Sequence, residues 1–245
     1  MKNASFTAFY RDLPAWFWLG LPIVLYLGHF AARLVGEAFY ETWMHGEFGV
    51  TEMVTLAILA SSIVIAGLCL PMARRLGHGL LTAWLIVFLL GVIYFCGEEA
   101  SWGQHIMGWE ASAEWAALND QNETNLHNTD GIVGSLLDQL PRTLLTFGAL
   151  IGGFLLPLIR RLRDRPLDAD GPWYWIMPTG VCMAIGLIAP LASVPGKIAE
   201  SMLGEAPMPL DISQGEIKEL LLALFILIYA LSLWLRLRQH TAGGA

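Results

Sequence analysis

Six apolar runs, each about 20 residues long and separated by polar segments, decide what this chain can fold into. An α-helix rises 1.5 Å per residue, so a run of that length covers the roughly 30 Å of a bilayer's hydrocarbon core. The predicted spans are about 15–36, 51–72, 79–99, 142–159, 172–193 and 216–236. With 56% hydrophobic and 14% charged residues and a mean hydropathy of +0.56, the chain is too apolar for a water-soluble domain. The expected fold is all-α: a polytopic integral membrane protein with six transmembrane helices. It forms one domain over 1–245, with a partly helical outer loop at 100–141. Trp16-Phe17-Trp18 reads as an interfacial belt. The first run is longer than a signal-peptide core and carries His29 and Arg33, so it is read as a span rather than a cleaved leader.

Several classes are excluded. A net charge of −7 with no basic patch gives no nucleic-acid partner. Cys69, Cys96 and Cys182 are odd in number and scattered through apolar runs, which gives neither a disulfide framework nor a thiolate metal site. The bilayer itself is the expected partner.

Charge sets the expected orientation. With six spans both termini share a side, and Lys2, Arg11, Arg74, Arg75, Arg160, Arg161, Arg163, Arg165, Arg236 and Arg238 lie there, ten of the 14 basic residues. Arg142, Lys197 and Lys218 fall opposite. The positive-inside rule makes the basic side cytoplasmic, which places Glu41, His45, Glu98, Glu99, His105, Glu123, His127 and Glu219 on the outer face.

The densest polar stretch runs from Tyr94 to Asn128, and it opens with adjacent carboxylates at the end of the third span, Glu98 and Glu99. Carboxylates at a helix C-terminus oppose the helix dipole and each other, so a cation, a proton or a buried Arg33 or Arg142 must meet them. If the helix stops at Glu99 the pair faces its negative end. If it runs on to Gly108, then Glu98, Ser101, Trp102 and His105 share a face. Ser112 is placed to cap a short helix at 113–118, and Gly131–Leu140 reads as a second amphipathic piece. Between them Glu123 and His127 are four residues apart, a spacing that aims both at one point, amid amides able to orient them. The expected common site is therefore Glu98, Glu99, Glu123 and His127, with Glu219 and His105 as further members. Elsewhere, His29, Arg33, Glu37 and Glu41 form a stripe at helical spacing, with Arg33 expected to pair with an outer carboxylate. Glu52 reads as a first-turn charge, and Ser213-Gln-Gly-Glu216 as a capping box. Gly152-Gly153 allows close helix packing, and Pro178 and Pro190 demand repair or bending of the fifth span.

Carboxylates and imidazoles without thiolates suit a divalent metal, Zn, Mn or Fe, with Ca²⁺ where oxygen ligands dominate. The Glu-x-x-His spacing of carboxylate-bridged di-iron bundles is absent, as are the zinc-protease helix, the nucleophile elbow and Gly-rich phosphate loops. Two kinds of chemistry fit the acidic pair. One carboxyl retains its proton and acts as general acid or base, or a metal neutralises both and activates a water.

The segments Gly97-Glu98-Glu99-x-Ser101-Trp102-Gly103-Gln104 and Asn119-x-Gln121-x-Glu123-x-Asn125-Leu126-His127-Asn128 together resemble a group of uncharacterised bacterial multi-pass membrane proteins. The similarity extends to the acidic starts of the second and sixth spans, Glu52 and Glu216 with Glu219. It implies a bacterial membrane protein with a shared site and carries no named activity; in a bacterium the outer face set by the charges is the periplasm and the membrane the inner one. Three functional classes fit: an enzyme acting on a lipid or lipid-linked substrate at the outer leaflet, a proton- or ion-coupled transporter or channel component, and a non-catalytic assembly or scaffold subunit.

Overall fold

The computed structural model describes residues 13–45, 48–116, 124–126, 135–164, 167 and 171–243. All regular structure among them is helical. Six helical segments are long and apolar enough to cross a membrane: Trp16–Val35, Val50–Leu76, Gly79–Glu99, Leu140–Leu162, Pro172–Leu203 and Gln214–Thr241. They are called the first to sixth spans below. The fourth winds wider, with π-type turns, over Gly148–Leu155.

The sixth span is the axis of the bundle. In its most apolar stretch 78% of residues are buried, against 17% in the first, third and fourth spans, so the others surround it and turn their remaining faces to lipid. Its longest interface is with the second span, which also packs on the third, while the fifth packs on the fourth and sixth. The fourth and fifth spans meet closely at Gly153 and Gly186. A Cβ on Gly186 would lie 2.8 Å from the carbonyl oxygen of Ala149, and one on Gly153 would lie 2.5 Å from the ring of Phe225. Small residues let helices meet backbone to backbone where lipid offers no hydrophobic drive for association. Gly186→Ala is therefore expected to cost about 1–3 kcal/mol, because the added methyl meets backbone that cannot swing aside. Unfolding in detergent would read this loss, and a variant as stable as wild type would contradict the close crossing.

The fifth span is broken. Its first helix, Pro172–Ile176, ends before Pro178, and the chain resumes as a short turn at Gly180–Cys182, then as Met183–Leu191 and Val194–Leu203. Pro178 has no N–H to continue the first helix, so carbonyls there lose their usual partners inside the bundle. Neighbouring side chains supply donors. Arg236 donates to the carbonyls of Tyr174 (2.7 Å) and Trp175 (3.2 Å), Tyr229 to that of Ile176 (2.8 Å) and Arg160 to that of Pro178 (3.4 Å). Trp84 Nε1 in turn donates to the Tyr229 hydroxyl at 2.7 Å. The repair demanded by the prolines thus comes mainly from the sixth span.

At the opposite end of the bundle the first span stops at Gly36, whose φ of 154° and ψ of 155° end the helix before Glu37–Trp43 begins. The continuous stripe through Glu37 and Glu41 is therefore interrupted. Arg33 is 3.6 Å from Glu37 but only 2.6 Å from Asp211, the carboxylate it pairs with. Buried Tyr40 accepts the Ser213 N–H at 3.1 Å and lies 3.4 Å from His29 Nδ1, and burial pushes its phenol above the usual range. That N–H is the one a capping box would give to Glu216. Glu216 instead reaches His45 Nε2 at 3.1 Å, while His45 Nδ1 meets Glu41 at 2.8 Å. Glu52 accepts the N–H of Phe48 at 2.9 Å, a first-turn contact at the start of the second span.

Candidate functional site

The third span ends at Glu99, the first of the two geometries open to it, and turns through Ser101–Gly103 into a short helix, Gln104–Met107. Ser101 (φ 44°) and Trp102 (φ 53°) both take a left-handed conformation, which costs a non-Gly residue about 1–3 kcal/mol and persists only where the surroundings enforce it. The turn folds the indole of Trp102 back over Gly97, where a Cβ would lie 2.8 Å from the ring. Glycine at 97 thus makes room for tryptophan at 102.

Glu98 is buried beneath this turn, 4% exposed. Trp102 Nε1 donates to one carboxylate oxygen and the backbone N–H of Leu126 to the other, each at 2.7 Å. The distant segment Thr124–Leu126 is clasped along its length. The Thr124 N–H donates to Gln104 Oε1 at 2.6 Å and its hydroxyl to the Ser101 carbonyl at 2.9 Å. Fully buried Asn125 donates to the Ser101 hydroxyl at 2.9 Å. The two polar segments therefore meet, with Glu98 anchoring Leu126 to the end of the third span.

Glu99 points elsewhere, because consecutive residues on a helix do not face the same way. Its side chain is 9% exposed, and Arg142 Nη2 lies 3.7 Å from its Oε1, too far for a hydrogen bond. Among the described residues that oxygen has no hydrogen-bond partner. Arg142 Nη1 makes a short contact with Glu219. One guanidinium thus stands between two carboxylates. Glu219 lies near the N-terminus of the sixth span, where the helix dipole favours it, whereas Glu99 sits against the negative end of the third.

Glu99, Arg142 and Glu219 line one end of a cavity of about 380 Å³ between the third, fourth, fifth and sixth spans. Glu98, Lys197 and Lys218 line that end too, while Phe88, Val92, Phe95, Leu145, Leu222 and Ile226 line the rest. From Phe88 to Glu99 the cavity follows the third span for about 16 Å at 1.5 Å per residue. It is an amphiphilic slot with charge at the motif end and hydrocarbon below, within the size range of ligand pockets.

Of the residues expected to share a site, Glu98, Glu99 and Glu219 come together around this cavity. Glu123 and His127 lie outside the described residues. His105 is half-buried, packs edge-on against Phe48 with ring centroids 6.2 Å apart, and does not line the cavity. Glu41 and His45 form their own cluster with Glu216. Among the described residues no three His, Cys, Asp or Glu side chains gather as a metal's ligands would. Ser112 Oγ accepts the Trp115 N–H at 3.3 Å at the start of the short helix Ala113–Ala116, as its capping position implies. Lys197 and Lys218 were not legible as site residues, since they lie on different helices and carry no motif. Comparison with family models, curated proteins and solved structures finds no match to this chain.

Proposed function

We propose that this protein is a membrane enzyme that acts on a lipid or lipid-linked substrate by carboxylate acid–base chemistry, with Glu99 as the proton-transferring group. The observation that carries the reading is the Glu99 carboxylate, buried at the head of an amphiphilic cavity with an oxygen unengaged by any hydrogen bond among the described residues. A positioned carboxylate needs a free lone pair to take a proton from a bound substrate. Arg142 and Glu219 set its charge environment, and Glu98 holds the outer loop over the site. In the metal-assisted form of the reaction, Glu123 and His127 would complete a ligand set with Glu99. The expected test uses purified protein in liposomes of total bacterial lipid extract, followed by mass spectrometry. Wild type should consume or form a lipid species at a rate at least about a hundredfold above Glu99→Gln, the scale of general acid–base catalysis. Identical lipid profiles for the two proteins would reject the reading. Metal analysis of the same samples separates the two forms, since only the metal-assisted one loses a bound ion in the variant.

The proposed orientation sets the site at the periplasmic face of a bacterial inner membrane with both termini cytoplasmic, and the ten-to-three division of basic residues supports the direction. Cysteines introduced at Asn119 and Asp168, in a background lacking the native three, test this. In spheroplasts a membrane-impermeant thiol reagent should label position 119 and spare 168. The reverse pattern would invert the topology.

Transport has one observation in its favour, the broken fifth span, since interrupted helices build ion sites in transporters. Between Glu219 and Tyr229, however, the sixth span presents only Leu, Ala, Phe and Ile. That apolar layer separates the charged end of the cavity from the Arg236 cluster, which favours the enzyme.

A further inference from the structure

We propose that Lys197 and Lys218 form a recognition site for the phosphate headgroup of a lipid whose apolar chain lies in the cavity below. The inference rests on reading the cavity as a lipid site and names the headgroup it takes. It begins with the charges at the cavity's head. Both oxygens of Glu98 are taken by Trp102 and Leu126, and Arg142 is held by Glu219 and Glu99. Lys197, on the Val194–Leu203 helix, and Lys218, early in the sixth span, line the same cavity. Neither ammonium has a hydrogen-bond or ion-pair partner among the described residues. Two like charges face one space in which Glu98 is engaged by the loop and Glu219 by Arg142, leaving both ammoniums open to an anion. Lysine binds phosphate as a point charge with three rotatable donors, and two lysines from separate helices can converge on one phosphate from different sides. The buried Ser193, one turn before Lys197, lies on the same wall.

The apolar part of the cavity decides between a lipid and a free anion. A soluble phosphate would fill only the charged end and leave the surfaces of Phe88, Val92, Phe95 and Ile226 without a partner. A lipid phosphate fills both, with the phosphate at the lysines and the chain running toward Ile226. Glu99, lining the same head as the two lysines, is then set at the bond next to the phosphate, where a headgroup substrate would react.

The test is binding to delipidated protein in detergent, followed by native mass spectrometry. The probes are dioleoyl phosphatidic acid, dioleoylglycerol and inorganic phosphate, against wild type, Lys197→Gln/Lys218→Gln and Val92→Trp. Phosphatidic acid is expected to bind wild type at least tenfold more tightly than dioleoylglycerol. The double lysine variant should lose that preference while keeping its unfolding temperature, because both lysines are at least partly exposed and make no hydrogen bond or ion pair among the described residues. Val92→Trp, which plugs the apolar part, should weaken both lipids. Equal binding of the two lipids, unchanged by the lysine substitutions, would overturn the phosphate assignment and leave the lipid cavity standing. Binding of inorganic phosphate with no binding of either lipid would show a free-anion site and overturn the lipid assignment. Binding of none of the three would overturn the headgroup site and the lipid reading together.

Discussion

Arg142→Gln is expected to lower stability by about 3 kcal/mol, with most of the loss returned when Glu219→Gln is added. The guanidinium contacts two carboxylates, and its removal leaves Glu99, 9% exposed, and Glu219, 16% exposed, on one cavity without the cation between them. Breaking a buried ion pair from one side costs about 3–5 kcal/mol, because the remaining charge stays desolvated. Arg142 keeps a third of its side chain exposed, which places the expectation at the lower end of that range. Removing the opposing carboxylate as well takes away the stranded charge. The double variant should therefore be more stable than the single one, a coupling that a double-mutant cycle measures directly. Equilibrium unfolding in mixed micelles supplies the four values. Additive losses would mean that Arg142 and Glu219 do not act as a unit.

Arg236→Met is the second large effect, about 3 kcal/mol, and its origin is backbone rather than side-chain charge. Arg236 is 8% exposed and spreads its guanidinium over the carbonyls of Tyr174 and Trp175 at the end of the Pro172–Ile176 helix. A hydrogen bond to a charged group contributes about 1.5–3 kcal/mol, and an orphaned carbonyl inside a bilayer finds no water to replace it. A cation also suits the negative end of a helix. Arg236→Lys should recover roughly half the loss, since an ammonium lacks the planar fork that spans two acceptors. If Arg236→Met unfolds at the same denaturant concentration as wild type, the break in the fifth span is held by other donors.

The spans themselves were legible. The third, expected at 79–99, is found at Gly79–Glu99, because a change from leucine-rich to charged sequence marks where hydrocarbon ends. Their arrangement was not. The second, third and sixth spans have mean hydropathies of 2.5, 2.4 and 2.3, yet they differ in burial from 17% to 78%. Leucine serves equally well against lipid or protein, so hydropathy cannot tell the axis from the wall. At the site, the cost of two adjacent carboxylates was readable, but not its resolution. Both line the same cavity, but the 100° between neighbours on a helix gives them different partners, Glu98 the loop and Glu99 Arg142, and those partners lie far away in the sequence. Gly97 could be read only as part of a motif, and its purpose appears once Trp102 lies across it.

The central position of the last span has a consequence for how the molecule is made. A ribosome delivers the chain from its N-terminus, so the first five spans reach the membrane before the helix they enclose has been synthesised. Until the sixth span arrives, Arg142 lacks Glu219, and until Tyr229 and Arg236 arrive, three carbonyls of the fifth span lack their donors. A five-helix assembly formed in that interval would have the fifth span's carbonyls open and Arg142 short of one carboxylate. Chains that terminate before Ser213 would remain in that condition and become substrates for membrane quality-control proteolysis.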